Sequence, residues 1–565
     1  MPERLNHIAH KVPHLRKVGD HVVRGARFKP ATYRFIIQSL TNPGRSRVSF
    51  LWRPHLDIKQ KLSGIGAKTA PTMTTPQDLP FTQLFVNGEW KPSNSGSTFE
   101  VRNSHTGAVS GISASATIED CREAVDAAYQ AFLTWENSDY SVRQDIFLKA
   151  AQIVASEKYM HKVQEAIAAE TAATPDWSFF NWAFTQNYLV SAAAMIRELK
   201  GEAFPSAAGG HVVVQRRPVG VILGIAPWNA PFVLSIRAVM VPIICGNTVI
   251  LKSSEHSPRT QALVAELFHE AGLPKGVLNF ISMSRESSPE VTADIIANPK
   301  LRMLNFTGSH RVGRILAQEA GKHLKPCIFE LGGKSPTVVL DDADVEQAAK
   351  AIVYAAMINA GQVCMSAERV IVQRDVSEAL INAVVQMSKK LTAGNPSTNP
   401  LPPLFTQDSA ENVVDLIRQA VESGAELLLG DVARDGAVVQ PHILCGVDKK
   451  QPLWRQEAFG PVTTFAVCDT IDEAVELAND SDYTLSAALW TSSLESAMSV
   501  APKIRSGFIN INGSTFHSER FFGPYGLGGS SGYGDFDVEH FTQKRGLVFH
   551  APGRKYPLVE KVCGK

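Results

Sequence analysis

The chain has 565 residues, of which 44% are apolar and 20% charged, a globular composition that excludes wholesale disorder and collagen-like repeats. Its 56 basic and 55 acidic residues leave a net charge of +1, which argues against a nucleic-acid-binding protein. Apolar stretches such as residues 238–245 are far shorter than the roughly 20 residues that cross a bilayer. Seven cysteines without a CxxC pair indicate reduced thiols. We expect a soluble cytoplasmic protein without a metal centre that binds neither nucleic acid nor membrane.

Residues 1–72 differ in charge from the rest of the chain. They contain 14 Lys and Arg residues but only three acidic ones, Glu3, Asp20 and Asp57. One interpretation is a dispensable extension that ends before Met73. The other is a mitochondrial transit peptide, which is also rich in Arg and poor in acidic residues, and the protein would then be mitochondrial.

From residue 81 onward, the sequence shows the apolar patterns of a folded domain. Residues 84–90 contain a short apolar run followed by Asn87-Gly88, which predicts a β-hairpin. Residues 118–134 and 140–171 carry apolar side chains at helical spacing. Residues 201–218 contain two short runs around a glycine pair, and we interpret them as a β-ribbon between domains.

Strand and helix patterns then alternate along the chain. The predicted strands span residues 220–225, 248–252, 277–281, 303–306, 337–340 and 370–373. The predicted helices between them span residues 257–270, 310–320 and 345–359. Such alternation with short connections predicts parallel βαβ units and doubly wound sheets. We expect two α/β lobes joined near residues 331–336.

The first candidate for chemistry is Cys364, in Gly361-Gln362-Val363-Cys364-Met365. It follows a predicted helix and precedes a predicted strand, near the boundary between the lobes. A partly exposed thiol there, with a depressed pKa, is a usable nucleophile. A single cysteine is also commonly a small buried apolar residue, and the motif alone leaves both interpretations open.

The second candidate is Glu330, in Glu330-Leu331-Gly332-Gly333-Lys334. The glycine pair permits a tight backbone path that would turn this carboxylate into a cleft. Partial desolvation would then raise its pKa and make it a general base. A surface glutamate beside a turn is the alternative.

Two further segments offer groups that bind negative charge. Asn229 lies between Pro227 and Pro231 at the end of a predicted strand, and an amide held there beside a thiol suits an oxyanion hole. The segment Thr307-Gly308-Ser309 opens a predicted helix, where backbone N–H groups are a ready site for a phosphate.

Taken together and in this order, six motifs resemble the signatures of NAD(P)-dependent aldehyde dehydrogenases. They are Pro227-Trp228-Asn229, Lys252-Ser253-Ser254-Glu255, Phe306-Thr307-Gly308-Ser309, Glu330-Leu331-Gly332-Gly333-Lys334, Gly361-Gln362-Val363-Cys364 and Glu457-Ala458-Phe459-Gly460-Pro461. The resemblance covers residues 81–550 approximately.

The resemblance implies an α/β fold of two doubly wound domains and a bridging β-ribbon for oligomerisation. The NAD-binding domain would comprise residues 81–200 and 219–331, and the catalytic domain residues 332–535. The ribbon would comprise residues 201–218 and 541–552, and would build a homodimer or homotetramer.

The resemblance also implies roles for single residues. Cys364 would attack the aldehyde carbonyl, Asn229 and the Cys364 backbone N–H would hold the oxyanion, and Glu330 would activate water to release the acid. The cofactor-binding residues would be Trp228, Lys252, Glu255, Gly308, Ser309, Gly313, Leu331, Glu457 and Phe459. A carboxylate at Glu255 would repel a 2′-phosphate, which favours NAD as the cofactor, with NADP as the alternative.

Two segments, residues 364–369 and 511–517, resemble the salicylaldehyde and vanillin dehydrogenase branch of the family. We expect apolar and aromatic residues to line the substrate entrance, namely Phe232, Met357, Met365, Phe516, Phe521 and Phe522. Such walls favour a small aromatic aldehyde. Core packing of some of these residues, and an aliphatic aldehyde or semialdehyde as substrate, are the alternatives.

The chain departs from the family pattern at three positions. Ser253 replaces a usual proline, Gly529 a usual lysine and Asp535 a usual arginine. The last two changes put the anchoring of the C-terminal loop in doubt.

Three other classes of function compete with this interpretation. Ser530 lies in a formal GxSxG match, which would make the protein a serine hydrolase, although no predicted strand precedes it. A non-catalytic binding protein on the same fold would be marked by loss of Cys364 or Glu330, and both are present. A coenzyme-A-acylating relative would commonly lack the glutamate.

Overall fold

The structure, a computed structural model, describes residues 79–516 and 525–563. The predicted basic segment 1–72 and the pocket candidates Phe521 and Phe522 lie outside the described residues. Within them, strands alternate with helices, and this confirms the α/β fold class predicted from the sequence.

The strands are β1 (Phe81–Thr82), β2 (Leu84–Val86), β3 (Glu89–Lys91), β4 (Thr98–Arg102), β5 (Val109–Ala114), β6 (Glu202–Pro205), β7 (His211–Pro218), β8 (Val221–Ile225), β9 (Thr248–Lys252), β10 (Leu278–Ile281), β11 (Leu301–Thr307), β12 (Cys327–Glu330), β13 (Pro336–Val339), β14 (Arg369–Gln373), β15 (Glu426–Leu429), β16 (His442–Cys445), β17 (Val462–Cys468), β18 (Ser486–Trp490), β19 (Phe508–Ile511), β20 (Gly532–Tyr533) and β21 (Thr542–Phe549).

The helices are α1 (Ile118–Trp135), α2 (Tyr140–Val154), α3 (Glu157–Thr171), α4 (Pro175–Ala194), α5 (Pro231–Ile244), α6 (Pro258–Ala271), α7 (Ser288–Ala297), α8 (His310–Lys322), α9 (Val345–Met357), α10 (Arg374–Ser388), α11 (Gln407–Glu422), α12 (Pro452–Arg455), α13 (Ile471–Asn479), α14 (Leu494–Val500) and α15 (Pro557–Cys563). Within the described ranges, none of them is both long and apolar enough to cross a membrane.

Eight strands form the first large sheet, in the order β20-β12-β11-β8-β9-β10-β2-β3. The five strands from β12 to β10 run parallel, whereas β20, β2 and β3 are antiparallel to their neighbours. Every residue of β8 and β9 is buried, as expected of strands that are covered by helices on both faces. The strand order reverses at β8, and ligands of such sheets bind beyond the carboxyl ends of the strands at this reversal.

Helices cover both faces of the first sheet. Along β8, Ile222 packs into a layer formed with α2 to α6, which includes Phe268. The next residue, Leu223, points to the opposite face, where α1, α7 and α8 supply side chains such as Leu316. The alternation follows from the pleat of a β-strand, and it gives the domain two apolar cores.

Seven strands form the second large sheet, in the order β15-β16-β17-β14-β13-β18-β19, with β15 antiparallel and the others parallel. β12 ends at Glu330 and β13 begins at Pro336, so residues 331–335 connect the two large sheets. We propose that each sheet marks one of the domains expected from the sequence. One segment differs from that expectation, because β20 lies in the stretch assigned to the catalytic domain but pairs with β12 of the first sheet.

Two smaller antiparallel or mixed sheets complete the fold. β1, β5 and β4 form one of them, and β21, β7 and β6 form the ribbon. At the turn of the ribbon, Gly210 has a φ of 83°, and a Cβ there would lie 1.9 Å from the carbonyl oxygen of Phe549. About half of the surface of Phe204, Leu547 and Phe549 on this ribbon is exposed.

Arg143 fastens α2 to the carboxyl ends of α1 and α5. Its guanidinium donates hydrogen bonds to the carbonyls of Trp135 and Glu136, both at 3.0 Å, and to the Ser138 hydroxyl at 2.8 Å. A longer contact of 3.4 Å reaches the carbonyl of Ile244. Arg143 is 2% exposed, so backbone carbonyls rather than water balance its charge.

We expect Arg143→Met to lower the free energy of unfolding by about 2–4 kcal/mol, because it leaves buried carbonyl oxygens without donors. The measurement is the urea concentration of half-unfolding. Arg122→Met is the matched control, since Arg122 is exposed and water screens its ion pair with Asp294. An equal loss in the two variants would contradict the prediction.

Candidate active site

Cys364 lies in a sharp turn between α9 and β14. The backbone of residues 359–361 takes three consecutive left-handed conformations, with φ values of 50°, 53° and 73°. Gly361 is required there, because a Cβ would lie 1.9 Å from the carbonyl oxygen of Gly460. The turn ends α9 and presents Cys364, partly exposed, at the edge of the apolar core.

The pKa of the Cys364 thiol lies well above its ordinary value. Burial is the main cause, the charge and hydrogen bonding of Glu330 add to it, and Arg237 opposes it. The expectation of a depressed pKa is therefore wrong, since a carboxylate in a water-poor pocket disfavours the thiolate. The thiol must therefore lose its proton before it can act as a nucleophile.

Glu330 is the last residue of β12, and its side chain is only 1% exposed. Its burial rules out the alternative of a surface glutamate. From α5, Arg237 Nη2 donates to Glu330 Oε2 at 2.5 Å and to Thr307 Oγ1 at 2.9 Å. Glu330 Oε1 has no hydrogen-bond partner in the described part of the chain. One carboxylate oxygen is thus held in an ion pair, and the other remains able to accept a proton.

Asn229 follows β8 and is tied to the loop that carries the thiol. Its Nδ2 donates to the carbonyl of Gln362 at 3.1 Å, two residues before Cys364. Its own carbonyl accepts a hydrogen bond from Trp177 Nε1 at 2.7 Å. The backbone N–H of Cys364 donates to no acceptor among the described residues. The structure thus brings the three predicted catalytic side chains to one site, with an unused backbone donor beside them.

Polar groups with unmet hydrogen-bonding capacity lie at the carboxyl end of β9. The Lys252 amine donates to the carbonyl of Ser253 at 3.2 Å, and burial lowers its pKa against the opposing charge of Glu255. The Ser253 hydroxyl, at the family's usual proline position, is buried and has no described partner. The Glu255 carboxylate lies 3.4 Å from His256 Nε2.

The N-terminus of α8 lies at the carboxyl end of β11. Ser309 caps it by accepting a hydrogen bond from the Val312 N–H at 3.4 Å. Gly313 lets Leu331 pack on the first turn, because a Cβ at this position would lie 2.7 Å from Leu331 Cδ2. Gly308 faces the Phe306 ring, which a Cβ would approach to 2.4 Å. The helix end carries a partial positive charge that suits a phosphate group.

The loop before β17 brings Glu457 and Phe459 to the segment that joins the two large sheets. Glu457 Oε1 accepts a hydrogen bond from the Gly333 N–H at 2.9 Å. Burial, and then the like charge of Glu368, raise the pKa of Glu457 to about 8. Phe459, at a φ of 54°, packs edge-on against Trp228 with the ring centroids 6.0 Å apart.

The residues at the carboxyl edge of the first sheet fit a dinucleotide cofactor. A buried cation at Lys252 and the unpartnered Ser253 hydroxyl offer donors to ligand oxygens, and the N-terminus of α8 offers backbone N–H groups. In residues 79–516 and 525–563, no group of three or more His, Cys, Asp and Glu residues is placed to hold a metal ion.

The predicted substrate-pocket residues divide into two groups. Phe516 is partly buried and packs against Phe180, with the ring centroids 5.4 Å apart, and Met365 adjoins the thiol. Phe232 and Met357, by contrast, are 0% and 1% exposed and fill the apolar cores. These two residues follow the alternative of core packing, because neither presents a surface to a ligand.

An aromatic face on α4 was missing from the sequence-based prediction. It consists of Trp177, Phe180, Phe184 and Tyr188. The Phe180 ring lies 4.8 Å from that of Trp177 and 4.4 Å from that of Phe184. Through Trp177, the face reaches the loop of Asn229. Its signal in the sequence is the spacing of three, four and four residues, which is one face of a helix.

Arg237 was also missing from the sequence-based prediction. It is the only charged residue of α5, and its side chain is 4% exposed. An isolated charge inside an apolar helix indicates a buried partner, and that signal was available in the sequence.

The C-terminal loop is anchored without the family's usual lysine. A Cβ at Gly529 would lie 2.4 Å from the carbonyl oxygen of Asp482, and the φ of 64° is left-handed. Instead, the Ser531 hydroxyl donates to the carbonyl of Gly332 at 2.7 Å, and the Leu331 N–H donates to the carbonyl of Ser531 at 3.1 Å. These bonds fasten the loop directly behind Glu330.

The surroundings of Ser530 do not support a serine nucleophile. Its hydroxyl donates to Asp482 Oδ2 at 2.6 Å and accepts a hydrogen bond from Arg314 at 3.2 Å. In the described part of the chain no histidine hydrogen-bonds this hydroxyl, so it lacks the base that a nucleophilic serine needs.

The chain is similar to members of one protein family over most of its length. The model of the aldehyde dehydrogenase family matches residues 90–545. Vanillin dehydrogenase of Pseudomonas fluorescens is 40% identical over 482 residues, which is 84% of this chain and 99% of that protein. Salicylaldehyde dehydrogenase of Pseudomonas putida is 38% identical over 485 residues, which is 84% of this chain and 100% of that protein.

Among solved structures, the chain is similar to a salicylaldehyde dehydrogenase from Pseudomonas putida G7 complexed with salicylaldehyde. The TM-score is 0.82 and the sequence identity 37%, over 85% of this chain and 100% of that chain. The chain therefore belongs to the aldehyde dehydrogenase family and is an NAD(P)-dependent aldehyde oxidoreductase.

Proposed function

We propose that the protein oxidises a small aromatic aldehyde to the carboxylic acid with NAD, through a covalent adduct on Cys364. The observation that carries the proposal is the meeting of a thiol, a buried carboxylate and a held carboxamide beside an aromatic helix face. Oxidation of an aliphatic aldehyde or semialdehyde by the same chemistry is the second candidate.

In the first half of the reaction the Cys364 thiol gives its proton to solvent, and Cys364 Sγ forms a bond to the carbonyl carbon. The carbonyl oxygen then carries a negative charge. Asn229 Nδ2 and the Cys364 backbone N–H donate to it, and such preorganised donors stabilise charge where it develops. Bound NAD(P)+ supplies a hydride acceptor. Loss of the hydride from the adduct leaves a thioester on Cys364.

In the second half Glu330 accepts a proton from water, and the water oxygen attacks the thioester carbon. The same two donors hold the second oxyanion. Its collapse breaks the C–S bond, releases the carboxylic acid and returns Cys364 as a thiolate. The unpartnered Glu330 Oε1 supports this role, and it also favours hydrolysis over transfer of the acyl group to coenzyme A.

For the cofactor, we propose that Lys252 and Glu255 hold the adenosine ribose and that Ser309 and the N-terminus of α8 hold the pyrophosphate. Glu457 would hold the nicotinamide ribose, and Phe459 and Trp228 would flank that end. The Glu255 carboxylate favours NAD, because a 2′-phosphate beside it would be repelled.

We propose that the ribbon of β21, β7 and β6 joins subunits into a homodimer or homotetramer. Its half-exposed apolar side chains support an interface there. All seven cysteines are free, which supports a reducing compartment, and we propose the cytoplasm.

The aromatic substrate is supported by the walls beside the thiol. Phe516, which follows β19 of the second sheet, packs against the aromatic face of α4. Its ring centroid lies 5.4 Å from that of Phe180 and 6.3 Å from that of Trp177. A flat aryl ring gains from offset and edge contacts with such rings, about 0.5–1.5 kcal/mol per pair beyond simple burial. An aliphatic chain gains only the free energy of burying its apolar surface.

Cys364→Ala should abolish NADH formation with every aldehyde, because no other group can form the thioester. The measurement is the absorbance of reduced nicotinamide with benzaldehydes and aliphatic aldehydes. Cys445→Ala is the matched control, since it removes another partly exposed thiol, and it should keep full activity. Undiminished turnover by the Cys364 variant would refute the proposed function.

Glu330→Gln should retain a pre-steady-state burst of NADH but lose about 10²- to 10⁴-fold in the steady-state rate, the usual contribution of a general base. Stopped-flow absorbance separates the two phases. Glu346→Gln, at an exposed glutamate of α9, is the control and should leave both phases unchanged. A normal steady state in the Glu330 variant would remove this residue from its role.

Phe180→Ala should lower kcat/KM for benzaldehyde about tenfold more than for propanal, because it removes ring contacts that only an aryl substrate makes. Phe179→Ala serves as the matched control, since Phe179 precedes it on α4 and is about half exposed. Equal losses for the two aldehydes would favour the aliphatic candidate.

A further inference from the structure

Arg237 is a buried cation beside the proposed general base. We propose that Arg237 is a positioning residue, which holds Glu330 Oε2 and leaves Glu330 Oε1 free for the hydrolytic water. The proposal rests on the proposed function, because it concerns the step that releases the acid from Cys364.

The contacts of Arg237 fix one oxygen of the carboxylate. Nη2 donates both to Glu330 Oε2 at 2.5 Å and to Thr307 Oγ1 at 2.9 Å. Thr307 and Glu330 are paired residues at the carboxyl ends of the adjacent strands β11 and β12. A single nitrogen therefore bridges the two strand ends, and the carboxylate cannot rotate without breaking its ion pair.

The guanidinium is itself held from the other side. Its central carbon lies 4.7 Å from the centroid of the Phe536 ring, a cation–π distance, on the segment that follows β20. Arg237 and Glu330 are 4% and 1% exposed, so water screens neither charge. Phe536 adjoins Asp535, which occupies the family's usual arginine position.

The ionisable groups around the pair are acidic. Glu330 faces Arg237 from α5, the Cys364 thiol from the turn before β14, and Glu457 from the loop before β17. Arg237 in turn faces Tyr188 from α4 and Asp535 from the C-terminal segment.

Arg237 is thus a cation among acidic side chains. The pKa of Asp535 is raised, by burial first and then by Asp537, and Arg237 opposes the rise. Without the guanidinium, the buried Glu330 carboxylate would lose the cation that pairs with it. Such a group becomes protonated at a higher pH, and a protonated base cannot accept a proton from water.

The test is Arg237→Met, followed by stopped-flow measurement of the NADH burst and the steady-state rate from about pH 5.5 to 9.5. We expect the burst amplitude per folded subunit and KM to stay near the wild-type values. The steady-state rate at neutral pH should fall about tenfold or more, its acid limb should move up by about 1–3 pH units, and activity should recover at high pH.

Three companion variants distinguish positioning from general loss of structure. Arg237→Lys keeps the charge and should return the acid limb to near the wild-type pH. Arg237→Gln keeps a neutral hydrogen-bond donor. Its acid limb should show the same upward shift, so it can replace the methionine variant if that variant does not fold. In the Glu330→Gln background, Arg237→Met should cause no further loss of the steady-state rate, because Arg237 acts through Glu330.

Arg143→Met is the matched control, since it removes another buried arginine and should lower stability without moving the acid limb. An unmoved acid limb in the soluble neutral variants, or a loss additive to that of Glu330→Gln, would overturn the assignment of Arg237. Failure of the proposed function would differ, because a wild-type protein without a burst, or an active Cys364→Ala variant, would contradict the thioester whatever Arg237 does.

Discussion

The close approach of three loops to the segment Gly332-Gly333 is the constraint on which the site depends. A Cβ at Gly333 would lie 2.0 Å from the carbonyl oxygen of Cys364, and one at Gly332 would lie 2.4 Å from Glu457 Oε2. The C-terminal loop reaches the same segment through Ser531, which donates to the carbonyl of Gly332. Only a backbone without side chains lets the thiol loop, the Glu457 loop and the C-terminal loop converge directly after Glu330.

This convergence removes water from charged groups, and the protein balances those charges with buried partners. Arg237 pairs with Glu330, and Lys334 pairs with Glu368, whose carboxylate also accepts the N–H groups of Ala458 and Phe459. The second pair fixes the loop that carries Glu457. The geometry of the site is therefore built on ion pairs whose disruption would leave an uncompensated buried charge.

The same electrostatics explain the raised pKa of the Cys364 thiol. A cysteine near a cation or at a helix N-terminus would have a lowered pKa, but Cys364 lies in a buried pocket beside a carboxylate, and its pKa is raised. The thiol stays protonated until a base removes the proton. Glu330, with Arg237 behind it, then acts in the second half of the proposed reaction, in which water releases the acid.

Local signals in the sequence were sufficient where short-range chemistry decides the structure. The hairpin at Asn87-Gly88 is confirmed, with φ values of 52° and 80°, because few residues adopt that conformation. The strands β8 and β9 and the helix α8 were likewise predictable, since a run of buried apolar residues or a helical spacing needs no distant partner. The family motifs identified Cys364, Glu330 and Asn229 because their order along the chain is itself the signal.

Other features of the protein depend on neighbours that are distant in the chain, and only the tertiary structure decided them. Phe232 and Met357 look the same in sequence as pocket residues, and only packing shows that they fill the cores. Arg237 could be recognised as an isolated charge, but its partner is 93 residues away in the chain. The sequence by itself determined the fold class and the family, and it supplied the candidate reactive groups. The tertiary structure decided which of those groups are desolvated and paired, because burial and charge compensation are properties of the folded surroundings and not of the residue.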